Sequence, residues 1–255
     1  MKKISSILFV LLLMLASFTA GTQYPRGDLD YNGKVNIADV VALTDYLLSG
    51  TWENEPVTPP DDHEYVDLGL PSGTLWATTN VGATRPEEYG DYFAWGETEP
   101  KEIYDYSTYK WCKGSSSTIT KYCSNSSNGT VDNKTELELE DDAAYVNWGE
   151  RWRMPSQAQI KELIDKCTWT WTTRNGVYGQ LVTGPNRNTL FLPPAGNRWS
   201  DYLSSDGTNG FYWSRTLSTS VPYSCFCLSF RSDNVNQVNN FGRGRGHTVR
   251  AVRVW

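Results

Sequence analysis

The stretch "MPSQAQIKELIDKCTWTWTTRNGVYGQLVTG" (Met154–Gly184) decides the fold class, because a helical pattern is followed directly by a strand pattern. Ser156 is a good helix N-cap residue. Ile160, Leu163 and Ile164 recur at spacings that place them on one helix face. This part of the chain therefore predicts an amphipathic helix that ends near residue 167.

The residues after this helix predict a β-hairpin. β-branched and aromatic residues alternate on both sides of Asn175-Gly176, a pair typical of tight two-residue turns. "EYVDLGLPSGTLWAT" (64–78) and residues 210–255 also predict short strands separated by turns. The polar stretch 117–144 predicts a long excursion, that is, an irregular segment that leaves the regular elements of the domain. We therefore predict an α+β domain with one clear helix and mostly short strands.

The composition favours a secreted, loop-rich protein. The chain has 255 residues, with 11 Trp, 15 Tyr and 21 Gly but only 3 Met. Its net charge of −6 argues against nucleic acid as the main partner. The length allows one sizeable core with small appendages.

The N-terminal residues have the pattern of a secretory signal peptide, which we assign to residues 1–21. Lys2 and Lys3 precede the apolar run "ILFVLLLMLA" and the small residues "SFTAG". The run is too short to span a membrane as a helix, so we expect no transmembrane span in the mature protein. An uncleaved anchor is the alternative. The expected location is secreted or at the cell surface.

Five cysteines follow in this exported context, which permits disulfides. Cys112 and Cys123 flank a Ser/Thr-rich loop and are the best candidate pair. Cys225 and Cys227 alternate along a strand pattern and should point to one face, where a bridge between them would be strained. We interpret these two as packed or exposed thiols.

A compact unit at residues 24–50 contains a calcium-loop pattern, "DLDYNGKVNIAD". Oxygen-bearing side chains occupy positions 1, 3, 5, 9 and 12 of the loop, Gly33 occupies position 6, and a backbone carbonyl is available at position 7. Ca²⁺ prefers six to eight oxygen ligands, which this spacing supplies. An acidic turn that merely caps a helix is the alternative. The predicted ligands are Asp28, Asp30, Asn32, Lys34 (through its backbone), Asn36 and Asp39.

This unit resembles one dockerin repeat, with the Asp-rich loop, "VNIADVVAL" and a trailing helix. The resemblance implies an EF-hand-like half-module, calcium as cofactor and a cohesin-like module as partner. Dockerins normally carry two repeats and this chain has one. A calcium-stabilised attachment module is therefore the expectation, followed by a Pro-rich acidic linker at 51–62.

The remaining residues, 63–255, resemble the Fibrobacter succinogenes major paralogous domain of Bacteroidetes. The motifs that carry the resemblance occur in order: "YVDLGLPSGTLWATTNVGA", "PEEYGDYFAWGET", "WRMPSQAQIKELID", "GFYWSRT" and "VRAVRVW". The resemblance implies a C-type-lectin-like fold, similar to that of formylglycine-generating enzymes. It also implies similarity to the variable proteins of diversity-generating retroelements, whose C-terminal segment presents changeable binding residues.

The residues themselves do not favour an enzyme. There are two histidines: His63 at the linker edge, which we expect to be solvated, and His247, which we expect to be packed or hydrogen-bonded. The carboxylates of "ELELEDD" (Glu136–Asp142) predict a solvated face, with a second cation site as the alternative. The cysteine pair does not match the catalytic pair of formylglycine-generating enzymes. The usual sugar-on-calcium motifs are also incomplete, since "GPN" (Gly184–Asn186) has no later Trp-Asn-Asp.

The C-terminal segment combines residues typical of strand burial with residues suited to contact. Trp213, Leu228, Phe230, Val235, Val249 and Val252 fit burial. Aromatic and arginine side chains are frequent at binding hot spots. A loop-rich surface without a partner is the alternative. The predicted ligand-binding residues are Arg215, Ser224, Phe226, Arg231, Val238, Phe241 and Arg245.

The sequence thus predicts a binding protein that is not an enzyme and that recognises a protein or glycan ligand through its C-terminal segment. An accessory component of a polysaccharide-degrading assembly, attached through the dockerin-like repeat and itself glycan-binding, is the alternative.

Overall fold

A computed structural model of the chain describes Val40 and residues 63–253, with only the backbone described for residues 237–240. The chain divides into two units, Met1–Asp62 and His63–Trp255. The predicted signal peptide (1–21), calcium unit (24–50) and linker (51–62) lie outside the described residues, apart from Val40. So do the predicted calcium ligands Asp28, Asp30, Asn32, Lys34, Asn36 and Asp39.

The second unit is mostly β-sheet with few helices, which confirms the predicted mixed class at this coarse level. Within residues 63–253 there are two α-helices, α1 (Ala143–Trp148) and α2 (Gln157–Lys166), together with a short 3₁₀ helix, Leu139–Asp141. The strands are β1 (Tyr65–Asp67), β2 (Leu75–Ala77), β3 (Trp152–Arg153), β4 (Thr168–Arg174), β5 (Val177–Thr183), β6 (Thr189–Leu192), β7 (Asn197–Trp199), β8 (Tyr202–Ser204), β9 (Gly210–Leu217), β10 (Ser224–Arg231), β11 (Asn234–Gly242) and β12 (Val252–Arg253).

Helix α2 forms as its sequence predicts. The Ser156 hydroxyl accepts a hydrogen bond from the backbone N–H of Gln159, and the Gln159 side chain accepts one from the backbone N–H of Ser156. This reciprocal cap satisfies two donors that the first helical turn leaves unpaired. Ile160 and Leu163 are buried against the sheet that contains β9 and β10.

The predicted hairpin is also confirmed. β4 and β5 pair in antiparallel register from Thr168–Thr183 to Arg174–Val177. Asn175 and Gly176 both have positive φ, at 48° and 83°, as a two-residue type I′ turn requires. The turn therefore fixes the strand register directly.

Helix α1 was not predicted, because its residues follow the acidic run that we assigned to a solvated face. The Asp142 carboxylate is buried and accepts hydrogen bonds from the backbone N–H groups of Ala144, Tyr145 and Met154. Asp142 therefore caps α1 and ties it to the chain after β3. The prediction of solvent exposure was wrong for Asp141 and Asp142.

The ends of the second unit meet in one sheet. Strand β12 lies between β2 and β3, and β1 pairs with the other side of β2. A second sheet has the order β11-β10-β9, a third has β4-β5-β6, and β7 pairs with β8.

The prediction that His63 is a solvated linker residue was wrong, since its ring stacks on Trp148 at 3.9 Å between centroids.

The core lies on both faces of the β11-β10-β9 sheet. One cluster surrounds Trp95, Trp152 and Trp213, and a second lies between this sheet and α2. A third, smaller cluster contains Tyr92, Tyr104 and Ala195. Five of the six residues predicted to be buried in strands are buried: Trp213, Leu228, Phe230, Val249 and Val252. The sixth, Val235, is partly buried. Among the described residues, none of the helices has the length and apolarity needed to cross a membrane.

Candidate functional site

The segment "GRGRG" (Gly242–Gly246), which begins at the last residue of β11, organises the candidate site. A Cβ atom at Gly242, Gly244 or Gly246 would come within 2.7 to 2.9 Å of the chain at residues 104–106. Side chains at these alternate positions would therefore collide with the neighbouring segment. The glycines let the two segments approach, and Arg243 and Arg245 occupy the positions between them.

Arg243 is directed inward and is fully buried. Its Nη1 donates to the carbonyl oxygen of Tyr122 at 2.7 Å and its Nη2 to that of Lys121 at 3.2 Å. Its guanidinium carbon lies 5.5 Å from the ring centroids of both Trp95 and Tyr109. Arg243 therefore attaches the polar excursion to the core, which is a structural role.

Arg245 is directed outward and is only partly buried. Its guanidinium carbon lies 4.4 Å from the centroid of the Trp199 ring and 5.7 Å from that of Phe241. Its Nη1 donates to the side-chain oxygen of Asn197 at 3.1 Å. Burial lowers the pKa of Arg245 from its ordinary value, and the nearby Tyr202 and Tyr106 act in the opposite direction. The guanidinium remains charged at physiological pH.

Strands β7 and β8 supply the aromatic part of the site. Trp199 and Tyr202 face each other across the hairpin, and the Tyr202 side chain is half exposed. The backbone of Arg198 pairs with Gly246 through two hydrogen bonds of 2.7 and 3.0 Å, which holds this hairpin beside the GRGRG segment. We name the surface formed by Trp199, Tyr202, Phe241 and Arg245 the arginine–aromatic patch.

His247 supports this patch from below. Its buried ring stacks on Trp213 at 3.9 Å and meets Phe241 edge-on at 5.0 Å. Within the described part of the chain neither ring nitrogen has a hydrogen-bond partner. Burial, with a smaller contribution from Arg245, holds the pKa of His247 well below its ordinary value. The ring is therefore neutral and packs like an apolar aromatic group, which confirms that His247 is packed.

The structure brings together two of the predicted ligand-binding residues, Phe241 and Arg245. It places two others on separate exposed or partly exposed positions. Arg231 is the last residue of β10, next to the β10–β11 turn, and its Nε lies 2.5 Å from a carboxylate oxygen of Asp233. Phe226 is partly buried at a β-bulge, where the register shifts between Cys225 and Cys227.

Two further predicted residues have surroundings that do not favour contact with a ligand. Ser224 is buried, so its hydroxyl does not face a ligand. Arg215 is 3.0 Å from Glu136 and donates to the Met154 carbonyl oxygen at 3.0 Å. The side chain of Val238 lies outside the described residues.

Sequence reasoning missed Trp199, Tyr202 and Asn197. A signal was present in "NRWSDYLS" (Asn197–Ser204), where two aromatic residues flank a Ser-Asp turn. However, Trp199 and Arg245 lie far apart in the sequence, and no local pattern connects them. Their contact depends on the pairing of β7 with the GRGRG segment.

The acidic cluster offers a second candidate site, because one carboxylate oxygen from each of Glu138, Glu140 and Asp141 lies within 4.8 Å of the others. The Lys121 ammonium lies 2.5 Å from Glu138, 3.7 Å from Glu140 and 2.6 Å from Asp141. Hydrogen bonds from Lys121 and Lys134 lower the pKa of Glu138 to about 2. The lysine already supplies the positive charge that a metal ion would bring, so the geometry favours a salt-bridge network here.

The five cysteines are all free thiols, so the expected Cys112–Cys123 disulfide is not formed. The Cys112 thiol donates to the carbonyl oxygen of Tyr106, and the Cys123 thiol to that of Asn125. Cys225 and Cys227 are buried on one face, as their alternation predicts, and burial raises the pKa of both thiols. Neither is poised as a thiolate.

A scan against protein-family models matched none, and searches of curated proteins and of solved structures also found no match.

Proposed function

We propose that this chain is a secreted or cell-surface binding protein whose second unit, of C-type-lectin-like fold, recognises a ligand through the arginine–aromatic patch. The observation that carries the proposal is the placement of Arg245. A charged side chain is held between Trp199 and Phe241 at a partly exposed surface. Arginine, tryptophan and tyrosine are the residue types most enriched at binding hot spots.

The support beneath the patch favours recognition by a preorganised surface. Phe241 packs against His247 and Phe211, and the glycines of the GRGRG segment fix the backbone that carries Arg245. Side chains that are ordered before binding lose less conformational entropy when a ligand arrives. A C-type-lectin-like fold is compatible with the meeting of the first and last strands, β1, β2 and β12, in one sheet.

An array of bacterial envelope glycans and surface proteins tests the proposal, with the full chain as probe. We expect a hit whose signal falls with Trp199→Ala and with Arg245→Gln but not with Arg231→Gln. Arg231 is a matched control, since it is an exposed arginine outside the patch. A hit that is insensitive to both patch variants would contradict the proposal.

Variability of the C-terminal residues is a separate part of the proposal. If these residues vary, we expect a reverse transcriptase gene nearby and an adenine-rich second copy of the last codons in the source genome. The absence of both from the genome would contradict the claim that these residues vary. Binding through the patch would still be tested by the array.

Glycan binding, the alternative function, is favoured by one specific observation on the β4–β5 hairpin. The Trp171 and Tyr178 rings lie 6.1 Å apart and within 8° of parallel, and Tyr178 is 56% exposed. Flat, exposed aromatic pairs present a broad apolar surface on which a sugar ring can stack. Glycan hits lost with Tyr178→Ala but retained with Arg245→Gln would support this second surface.

A further inference from the structure

We infer that Arg245 is an anion-binding position and that the ligand of the arginine–aromatic patch presents a single carboxylate beside a ring that packs on the aromatic side chains. This inference rests on the proposed function and specifies the chemical class of its ligand. Three features of Arg245 support it: the absence of a counter-ion, the hydrogen-bond donors that are left over, and the aromatic neighbours.

The charge of Arg245 has no acidic partner in residues 63–253. No carboxylate oxygen among these residues lies within 4.0 Å of its guanidinium nitrogens. The two other arginines predicted for the site differ, since Arg215 pairs with Glu136 and Arg231 with Asp233. A partly desolvated cation without a counter-ion is stabilised when an anion binds.

The donors of Arg245 are only partly used. Its Nη1 bonds to Asn197, while Nε and Nη2 have no hydrogen bond within the described part of the chain. A guanidinium has five N–H donors in a fixed fork, a geometry that matches the two oxygens of a carboxylate. Because the guanidinium is already stacked on Trp199, binding would cost little additional side-chain order.

The surroundings favour one isolated anion rather than a polyanion. Asp201 is exposed in the turn between β7 and β8, one residue from Tyr202. The second unit, residues 63–255, is itself slightly acidic, with 19 Lys and Arg against 21 Asp and Glu. Both features disfavour a ligand with many negative charges, such as nucleic acid or polyphosphate. A single carboxylate next to the guanidinium avoids most of this repulsion.

The aromatic neighbours specify what the carboxylate is attached to. Trp199 is partly exposed and Tyr202 is half exposed next to it. Their faces and edges provide apolar contact area immediately beside the guanidinium. A ligand with a carboxylate on or near a ring uses both features at once, as a uronic acid or an acidic residue beside an aromatic residue in a peptide would.

The test uses small probes and the indole N–H signal of Trp199 in the full chain, observed by NMR and assigned with Trp199→Phe. The probes are phenylacetate and its neutral counterpart phenylacetamide, titrated to millimolar concentrations. We expect phenylacetate to shift the Trp199 signal and to bind at least about tenfold more tightly than the amide. Arg245→Gln should remove that preference, and Arg231→Gln should leave it unchanged.

Two further probes separate the sources of the carboxylate. Galacturonate shifting the signal more than a blocked Glu-Tyr dipeptide indicates an acidic glycan, and the reverse indicates an acidic peptide. Equal binding of phenylacetate and phenylacetamide would overturn the anion inference but leave the patch as a binding surface. The absence of any shift of Trp199 with all four probes would overturn the inference, while a patch-dependent array hit would still support the proposed function.

Discussion

The Arg245 guanidinium carbon lies 4.4 Å from the centroid of the Trp199 ring, although the two residues come from different parts of the chain. The contact forms because Gly242, Gly244 and Gly246 let their segment lie against residues 104–106 while β7 pairs beside it. An arginine and an indole are thereby fixed together at a partly exposed surface. This contact with an indole ring at a partly exposed surface distinguishes Arg245 from Arg215 and Arg231.

Gly242→Ala should destabilise the protein, because the new Cβ would lie 2.9 Å from the Tyr106 hydroxyl oxygen. We expect a loss of about 1 to 3 kcal/mol in the free energy of unfolding. Urea denaturation measures it. In a Tyr106→Phe background, which removes that oxygen, the alanine should cost measurably less, and equal costs in both backgrounds would show that the close approach does not matter.

Arg243→Met should be strongly destabilising even though no acidic partner among residues 63–253 is lost. The substitution leaves the carbonyl oxygens of Tyr122 and Lys121 without their guanidinium donors in a buried position. We expect a loss of about 2 to 4 kcal/mol. The control Arg231→Met, at the exposed end of β10, should change stability by less than about 0.5 kcal/mol. Similar small effects for both variants would contradict the assigned role of Arg243.

Lys121→Met should also destabilise the protein, because it removes the closer of the two ammonium groups that pair with the buried Asp141 carboxylate, at 2.6 Å, and leaves only Lys110 at 3.4 Å. Burial alone would lower the pKa of Lys121, but hydrogen bonds to Asp141 and Glu138 raise it above its ordinary value. We expect a loss of about 3 kcal/mol at pH 7 in urea denaturation. Lys134→Met removes a more exposed partner of Glu138 and should cost less than about 1 kcal/mol.

The stability of the protein should fall as the pH drops below the ordinary histidine value of 6.5, through His247. The folded state holds this ring neutral, while the unfolded state takes up a proton below pH 6.5, so protons favour unfolding. The raised pKa values of Asp91 and Asp142 act in the opposite direction at lower pH. The difference between wild type and His247→Phe therefore isolates the histidine.

That difference should change by up to about 1.4 kcal/mol per pH unit between pH 6.5 and about 5, with wild type losing stability relative to the variant. Urea denaturation across this range measures it. In a control, His63→Phe removes the other histidine and should keep the His247-dependent change of unfolding free energy with pH that wild type shows. A difference between wild type and His247→Phe that does not vary with pH would show that His247 does not resist protonation in the folded state.

Local patterns predicted the elements whose stabilising contacts are local. Ser156, Ile160 and Leu163 specify α2 within a few turns, and Asn175-Gly176 specifies the hairpin through its own backbone geometry. Helix α1 was missed because its cap, Asp142, looks like part of a solvated acidic run until the Met154 backbone is brought to it. Its carboxylate is buried by a contact that sequence periodicity does not contain.

The candidate site shows the same limit more strongly. Phe241 and Arg245 were predicted because aromatic and arginine residues are suited to recognition. Arg215 has the same side chain as Arg245, but its guanidinium is taken up by Glu136 and the Met154 carbonyl. Whether an arginine is available to a ligand depends on its three-dimensional neighbours, which residue type alone does not reveal.

The most direct test of the central claim is the dissociation constant of the array-identified ligand for the Arg245→Gln and Arg231→Gln variants of the full chain. We predict that Arg245→Gln weakens binding by at least about tenfold, because it removes a charge-assisted contact. Arg231→Gln should stay within about twofold of wild type, since rim charges contribute little to affinity. Unchanged affinity for Arg245→Gln, in a variant that remains folded, would contradict the claim that this patch binds the ligand.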